Sequence, residues 1–328
     1  MQFQNNTEQK QFLAYLVSLT LLFSYAELLL PKIFPFFRLG LSNTVILLSF
    51  ALNFKAFFLL LFLKSTATSL MSGTLFSPFF LISAAQSFAS GFFMYLLFKI
   101  KGLKKLISPY GISMAGSALS AITQIFLCSI YLGKGTEALL APMLIFSIFS
   151  GLITAFFAQN LNIPQKAPVL NDKLSLSEAK PFSGYILTGI IIAGTAIIFL
   201  TRNIYFLVAA FISSLIMQRL AGRKIMILPH ISIWLFVFIS SLLTPSGKVV
   251  FSTGFFSVTQ GALLSALEKA LKLSSAGALS QCAFQIRPKE GTILALSIRY
   301  YKGLLNVCRN TEGNIFKKLK TTLSATEL

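Results

Sequence analysis

The sequence predicts an all-α, polytopic transmembrane protein with about ten spans in two membrane modules and both termini cytoplasmic. The chain of 328 residues is 55% hydrophobic and only 11% charged, with a mean hydropathy of +0.78. Soluble domains carry roughly 25% charged residues, so a chain this apolar could not cover its own surface in water. Apolar runs close to the ~20 residues that cross a bilayer recur along the chain.

Ten apolar runs are candidate spans, of which the second and the eighth are short. The first could imitate a signal peptide, but it is long, contains Glu27 and has no small-x-small cleavage site after it, so we interpret it as a span. In chain order the predicted spans are 12–30, 40–54, 56–72, 77–98, 110–132, 140–159, 183–200, 203–218, 225–243 and 259–284.

Basic residues are distributed unevenly between the two sides that these spans define. The asymmetry follows the positive-inside rule if the N-terminus is inside. The inner side receives Lys99, Lys101, Lys104, Lys105, Lys166, Lys173, Lys180, Arg219, Arg223 and Lys224. The outer side receives only Lys32, Arg38, Lys134, Arg202 and Lys248. We therefore expect a multi-pass protein of the cytoplasmic (inner) membrane.

The tenth predicted span is the most polar of the ten, because it contains Glu268, Lys269 and Lys272. Glu268 and Lys272 are four residues apart and could neutralise each other on one helix face. If this helix crosses, the basic tail after it lies inside; if it does not, that tail faces outward, against the rule. The sequence favours the crossing.

The pattern predicts four regions in the chain. A six-helix membrane module at 1–160 is followed by a polar linker at 161–182, where prolines and charges concentrate. A second transmembrane module occupies 183–284. The tail at 285–328 alternates apolar and basic residues, which is typical of an amphipathic helix on a cytoplasmic face.

The sequence lacks the residues that most enzyme classes need. Asp172 is the only aspartate, so an Asp-rich Mg²⁺-diphosphate site of the prenyl-synthase type is excluded. No Gly-x-x-x-x-Gly-Lys-Ser/Thr loop is present, and a single histidine, His230, makes a Ser-His-Asp triad implausible. The three cysteines are far apart and form no zinc motif. We predict a protein that is not an enzyme, with no cofactor and no metal, and no nucleic-acid partner despite the net charge of +19.

Polar residues inside the first module are the candidate substrate-binding residues. Glu27 is an intramembrane acid or else an interfacial carboxylate near Lys32 or Arg38. Arg38 and Asn43 bound a small, polar segment, RLGLSN, that could contact a ligand or pack against another helix.

Three further candidates lie deeper in the predicted spans. Lys64 falls near mid-membrane, where an ammonium needs a partner or a water-filled cavity unless it snorkels to the surface. Gln86 and Gln124 could each contact a ligand or form an interhelical hydrogen bond. The sequence leaves these alternatives open.

The first module also resembles a known family through a series of short stretches in a fixed order. They are Glu27 with Pro31, RLGLSN at 38–43, Lys55, GTLFS at 73–77, Ser83, Gly111-Ile-Ser113, Gly116, Gln124 and Gly151-Leu-Ile-Thr154. Residues 1–160 resemble the Gx transporter family, also labelled heptaprenyl diphosphate synthase component I. This family is similar to the substrate-binding (S) components of energy-coupling-factor vitamin transporters. Ser120 and Ala121 stand where the family usually has His-Asn, and Gln86 and Ser87 where it usually has glycines.

Residues 183–328 more weakly resemble the transmembrane coupling (T) component of the same transporters, through the stretch Gly247 to Leu273 and the basic region after it. The Ala-Arg-Gly or Ala-Arg-Ser motifs by which that component docks its ATPases are not found. The hypothetical coupling residues are Glu268, Lys272, Arg287 and Arg299.

The resemblance implies a transport subunit that binds a small organic nutrient. A vitamin or cofactor precursor is expected, with a flavin as the first guess and an isoprenoid as the second. Its partners are expected to be ABC-type ATPases on separate chains, together with membrane lipids. The alternative is a non-catalytic accessory or scaffold subunit linked to isoprenoid or quinone metabolism.

Overall fold

The computed structural model describes residues 6–29, 40–100, 107–161, 164, 166–169, 181–253, 256–285 and 289–324. In the described ranges its N-terminal part contains several helices and a 3₁₀ turn at Lys134–Leu139. These helices are α1 (Asn6–Leu29), α2 (Asn43–Leu48), α3 (Phe54–Ser72), α4 (Pro78–Lys99), α5 (Pro109–Leu132) and α6 (Leu140–Asn160).

The C-terminal part contains further helices and a β-hairpin, with a 3₁₀ turn at Cys282–Gln285. Its elements are α7 (Pro181–Leu200), α8 (Ile204–Leu220), α9 (Ile227–Leu242), β1 (Val249–Thr253), β2 (Phe256–Thr259), α10 (Gln260–Gln281), α11 (Ile293–Asn310) and α12 (Ile315–Leu323).

Helices long and apolar enough to cross a membrane confirm the helical membrane class. Within the described ranges there are four of them: Phe54–Ser72, Pro78–Lys99, Pro109–Leu132 and Lys134–Asn160. Their bounds match the predicted spans to within two residues, apart from the added 3₁₀ turn before α6. Three shorter apolar helices follow at Ile186–Leu200, Ile204–Leu220 and Ile227–Leu242. Residues 161–182, the predicted linker, lie mostly outside the described residues.

The second predicted span, 40–54, is wrong as a full crossing. Its helix, α2, has six residues, about 9 Å at ~1.5 Å per residue, against a hydrocarbon core of ~30 Å. Thr44, Val45 and Ile46 on this helix are buried inside the protein, and α2 packs on α6. Hydropathy counted a segment covered by other helices as one covered by lipid.

The strict alternation of sides also fails at one contact. It assigned the end of the third span and the turn at Arg223 to opposite sides, whereas Arg223 Nη2 donates to the Met71 carbonyl at 3.0 Å. Helix α8 has 17 residues, about 25 Å in length, which is short for a crossing. It packs on α10, whose segment Ala270–Ser280 is buried throughout. The number of spans and the sides of the termini remain predictions.

A β-hairpin departs from the all-α expectation. Strands β1 and β2 pair antiparallel, with Phe251 opposite Val258 and Thr253 opposite Phe256. Val249, Val250 and Phe251 are exposed, as β-branched and aromatic residues on a short two-stranded ribbon can be. Most of this stretch lies between the ninth and tenth predicted spans, to which no strand was assigned.

The amphipathic helix predicted in the tail is present as α11, and its apolar face is occupied by protein. It packs on α1 and α3, and Tyr300 lies edge-on to Tyr15 of α1 with ring centroids 5.9 Å apart. Leu304 is fully buried, while Lys302 and Arg309 are exposed. Burying the apolar stripe against α1 stabilises the helix in the way that amphipathic helices require.

Small residues allow the spanning helices to approach closely. A Cβ on Gly151 of α6 would lie 2.7 Å from the Met114 Cα of α5, so the two backbones touch there. Gly116 of α5 leaves room for the Met94 side chain in the same way. Such contacts replace the hydrophobic driving force that helices lose inside lipid.

Gly151→Ala is expected to destabilise the protein by about 1–3 kcal/mol, because the added methyl group meets backbone that cannot rotate away. The measurement is the midpoint of thermal aggregation of the detergent-purified protein. Gly189→Ala in α7 is the matched control, since a Cβ added at Gly189 would have no atom within 4 Å of it. Equal midpoints for the two variants would contradict the close α5–α6 contact.

Candidate functional site

Glu27, at the end of α1, holds the turn that leads into α2. Its Oε1 accepts a hydrogen bond from the Gly40 backbone N–H at 3.2 Å. Gly40 has a φ of +63°, in the left-handed region that glycine adopts at little cost. The Gly40 carbonyl then accepts from the Asn43 N–H at 2.8 Å, which fixes the first residue of α2. Glu27 therefore positions Asn43.

Lys64 of α3 is a buried cation within a spanning helix, with 6% of its surface exposed. Its Nζ donates to Asn43 Oδ1 at 2.6 Å. The buried ammonium therefore has a hydrogen-bond partner inside the protein and does not snorkel to the surface. The Glu27 carboxylate acts on this ammonium electrostatically, without an ion pair. An ammonium has three N–H donors, and the described structure shows one of them used here.

Gln86 of α4 and Gln124 of α5 form the interhelical hydrogen bond that the sequence left as one alternative. Gln86 Nε2 donates to Gln124 Oε1 at 2.7 Å. The connection between α3 and α4 puts Lys64 and Gln86 at a similar depth, since Lys64 lies eight residues before Ser72 and Gln86 eight residues after Pro78. Two polar pairs, one between α2 and α3 and one between α4 and α5, thus lie in one layer of the bundle.

Uncharged hydroxyl groups, which were not among the predicted site residues, extend the polar region around α2. Thr44 Oγ1 donates to the Thr154 carbonyl of α6 at 3.4 Å. Ser113 of α5 and Thr154 share a hydrogen bond at 2.7 Å. Ser113 and Thr154 both lie in stretches that carried the family resemblance. That resemblance was the only signal in the sequence that pointed to them.

The remaining predicted residues are not brought to this layer. Arg38 and Arg287 lie outside the described residues. Lys272 Nζ donates to Glu268 Oε1 at 2.7 Å, which confirms the neutralising pair expected on α10. Arg299 is half-buried on α11. The described coupling candidates therefore lie on two helices. Glu268 and Lys272 are on α10, which packs on α7, α8 and α9, and Arg299 is on α11, which packs on α1.

Two open grooves on the described surface are apolar. One, of about 310 Å³, lies between the α3–α4 turn, the start of α4 and Phe199 of α7. The other, of about 460 Å³, lies between α8 and α9 and is lined by aromatic residues including Trp234. Neither includes Lys64 or Asn43, so the buried polar layer is separate from both. No cluster of three or more potential metal ligands occurs in the described part of the chain.

Comparisons with known proteins match the N-terminal and the C-terminal parts of the chain separately. Residues 16–161 match the family described as heptaprenyl diphosphate synthase component I. Residues 185–286 match a domain of unknown function, DUF8519. The comparisons with curated proteins and with solved structures give no significant match. Residues 16–161, which carry all the described polar pairs of the site, are therefore similar to the heptaprenyl diphosphate synthase component I family, the Gx transporter-like family of membrane components.

Proposed function

We propose that this chain is a membrane transport subunit that binds a small organic nutrient in its N-terminal module. The observation that supports this most is the ammonium of Lys64, buried in a spanning helix and held by the neutral Asn43. An ionisable residue inside a membrane is costly and is by default a candidate for function. Unused N–H donors on such a group offer hydrogen bonds to a ligand.

The charges of the described site favour a substrate with little net charge of its own. The described site combines one acid, Glu27, with one base, Lys64, so it offers no excess of either kind of group. A ligand with a high charge of its own would leave that charge uncompensated in a low-dielectric site. This supports an uncharged or zwitterionic nutrient with several hydrogen-bonding groups, such as a flavin, more than an isoprenoid diphosphate.

Energy for uptake would come from ATPases on separate chains, because the sequence contains no P-loop. The C-terminal module contacts the ends of α3 and α5, and in this proposal it would pass the motion of the ATPases on to the substrate-binding module. In this proposal the two modules correspond to the substrate-binding and coupling components that the sequence resembles.

A second candidate is favoured by one specific finding. The family matched by residues 16–161 is described as a component of heptaprenyl diphosphate synthase. On this alternative the chain is a non-catalytic membrane accessory subunit for isoprenoid or quinone metabolism. It predicts a stable complex with a prenyl synthase and no bound nutrient.

Lys64→Ala and Asn43→Ala are each expected to weaken riboflavin binding about 10- to 100-fold, as expected for the loss of ~1.5–3 kcal/mol from a buried hydrogen bond to a charged group. The measurement is quenching of riboflavin fluorescence by the detergent-purified protein. Lys55→Ala is the control, because Lys55 is an exposed lysine on the same helix.

Mass spectrometry of small molecules that co-purify with each variant separates the outcomes. If riboflavin does not bind, but another molecule co-purifies and is lost in Lys64→Ala, the flavin is wrong and the site stands. If all variants retain the same molecules, the site assignment is wrong. Co-purification of a prenyl synthase alone favours the accessory role.

Gln86→Leu and Gln124→Leu are each expected to reduce stability, since the remaining amide loses its interhelical partner. A double-mutant cycle should give a coupling free energy of about 0.6 kcal/mol, the average for such bonds in membranes, and at most ~1.7 kcal/mol. The readout is the reversible unfolding of the protein in mixed detergent micelles. A coupling free energy of zero would assign the two glutamines to separate roles.

A further inference from the structure

The C-terminal module holds the end of α3 through a basic side chain. Arg223, in the turn after α8, donates from Nη2 to the Met71 carbonyl at 3.0 Å. The last carbonyls of a helix lack partners within it and carry the negative end of its dipole, so a cation there is favourable. Burial lowers the pKa of the Arg223 guanidinium from its ordinary value, yet arginine starts so high that it stays charged.

The end of α5 is held in the same way by a different element. Lys269 of α10 donates from Nζ to the Leu132 carbonyl at 2.8 Å. Leu132 is the last residue of α5, as Met71 is the last but one of α3. Two basic side chains from the C-terminal module thus cap the C-terminal ends of two spanning helices.

The turn after α3 adds a third attachment. The Phe76 N–H donates to Ser280 Oγ at 2.9 Å. Gly73 has a φ of +71°, and a Cβ there would lie 2.9 Å from the Gln281 Cα, so only glycine lets this turn approach α10 so closely. Gln281 Oε1 in turn accepts from Gln218 Nε2 at 2.9 Å, which ties the end of α10 to α8.

These attachments reach the two helices that carry one member of each polar pair. Helix α3 carries Lys64, whose partner Asn43 is on α2, and α5 carries Gln124, whose partner Gln86 is on α4. Helix α10 is enclosed by α7, α8 and α9 and packs with them as one unit. A shift of that unit would displace α3 and α5, and with them Lys64 and Gln124.

We propose that Arg223 and Lys269 are positioning residues through which the C-terminal module holds α3 and α5, so that moving this module opens or closes the polar layer around Lys64. The inference rests on the proposed function, because the layer is taken as the substrate site. It adds the route by which a domain of unknown function controls that site. Arg223 and Lys269 act through the helices and do not touch the substrate.

The test compares the double variant Arg223→Gln/Lys269→Gln with Arg219→Gln/Lys248→Gln, which removes the same charge from exposed positions of the same module. A reporter cysteine replaces Thr68, one turn after Lys64 on α3, in a background with Cys128, Cys282 and Cys308 changed to serine. The Thr68 hydroxyl is buried, so its cysteine is protected while the layer is closed. The probe is N-ethylmaleimide, and the readout is its rate of reaction.

The reporter is expected to react about tenfold faster in the Arg223/Lys269 double variant, because two charge-assisted hydrogen bonds that hold the closed layer are lost. The exposed control is expected to react at the original rate. Arg223→Lys/Lys269→Arg, which keeps a cation at each helix end, should restore most of the protection. Equal rates in all variants would overturn the proposal.

Two further measurements keep the outcome decisive. If the double variant does not elute as folded protein, the single variants Arg223→Gln and Lys269→Gln are each expected to give an intermediate rate, and an unchanged rate in both overturns the proposal. Riboflavin binding to the unmutated protein is measured in parallel. Its absence counts against the proposed substrate alone, since the maleimide rate reports on the coupling without any substrate.

Discussion

The N-terminal module is organised around the cost of placing the Lys64 ammonium inside a membrane. Its hydrogen bond to Asn43 requires that the start of α2 lie close to α3 inside the bundle. That position depends on the Gly40 turn, which the Glu27 carboxylate fixes through the Gly40 N–H. A buried charge without such a partner would oppose folding. Hydrogen bonds thus link Lys64 through the start of α2 and the Gly40 turn to the acid at the end of α1.

The C-terminal module is attached to the same bundle by charge-assisted hydrogen bonds as well as by apolar contacts of α5 with α9 and α10. The net charge of +19 is usually explained by basic loops on the cytoplasmic side. Arg223 and Lys269 serve a different purpose, since they donate to the ends of α3 and α5. Each contact is modest by itself, but the two act on helices that carry Lys64 and Gln124. An interface of this kind can transmit motion without a large buried area.

Hydropathy predicted the helices well, but it cannot distinguish a helix covered by lipid from a helix covered by protein, as α2 shows. The segment of α2 is apolar and short, and other helices cover it. Apolar side chains are favourable both in lipid and in the interior of a protein. Helix α11 shows the converse, because its apolar stripe predicted a surface helix while its actual partner is α1.

Composition and hydropathy predicted the helical membrane class, the positions of the long apolar helices and the polar residues whose hydrogen bonds those helices would have to satisfy. These follow from local composition, since the bilayer demands helices of a set length and penalises each buried polar group. The packed fold was needed to show that Lys64 pairs with Asn43, that Gln86 pairs with Gln124, and that Arg223 reaches Met71. Partners distant along the chain depend on how helices pack, and packing is set by shape at contacts such as Gly73 with Gln281.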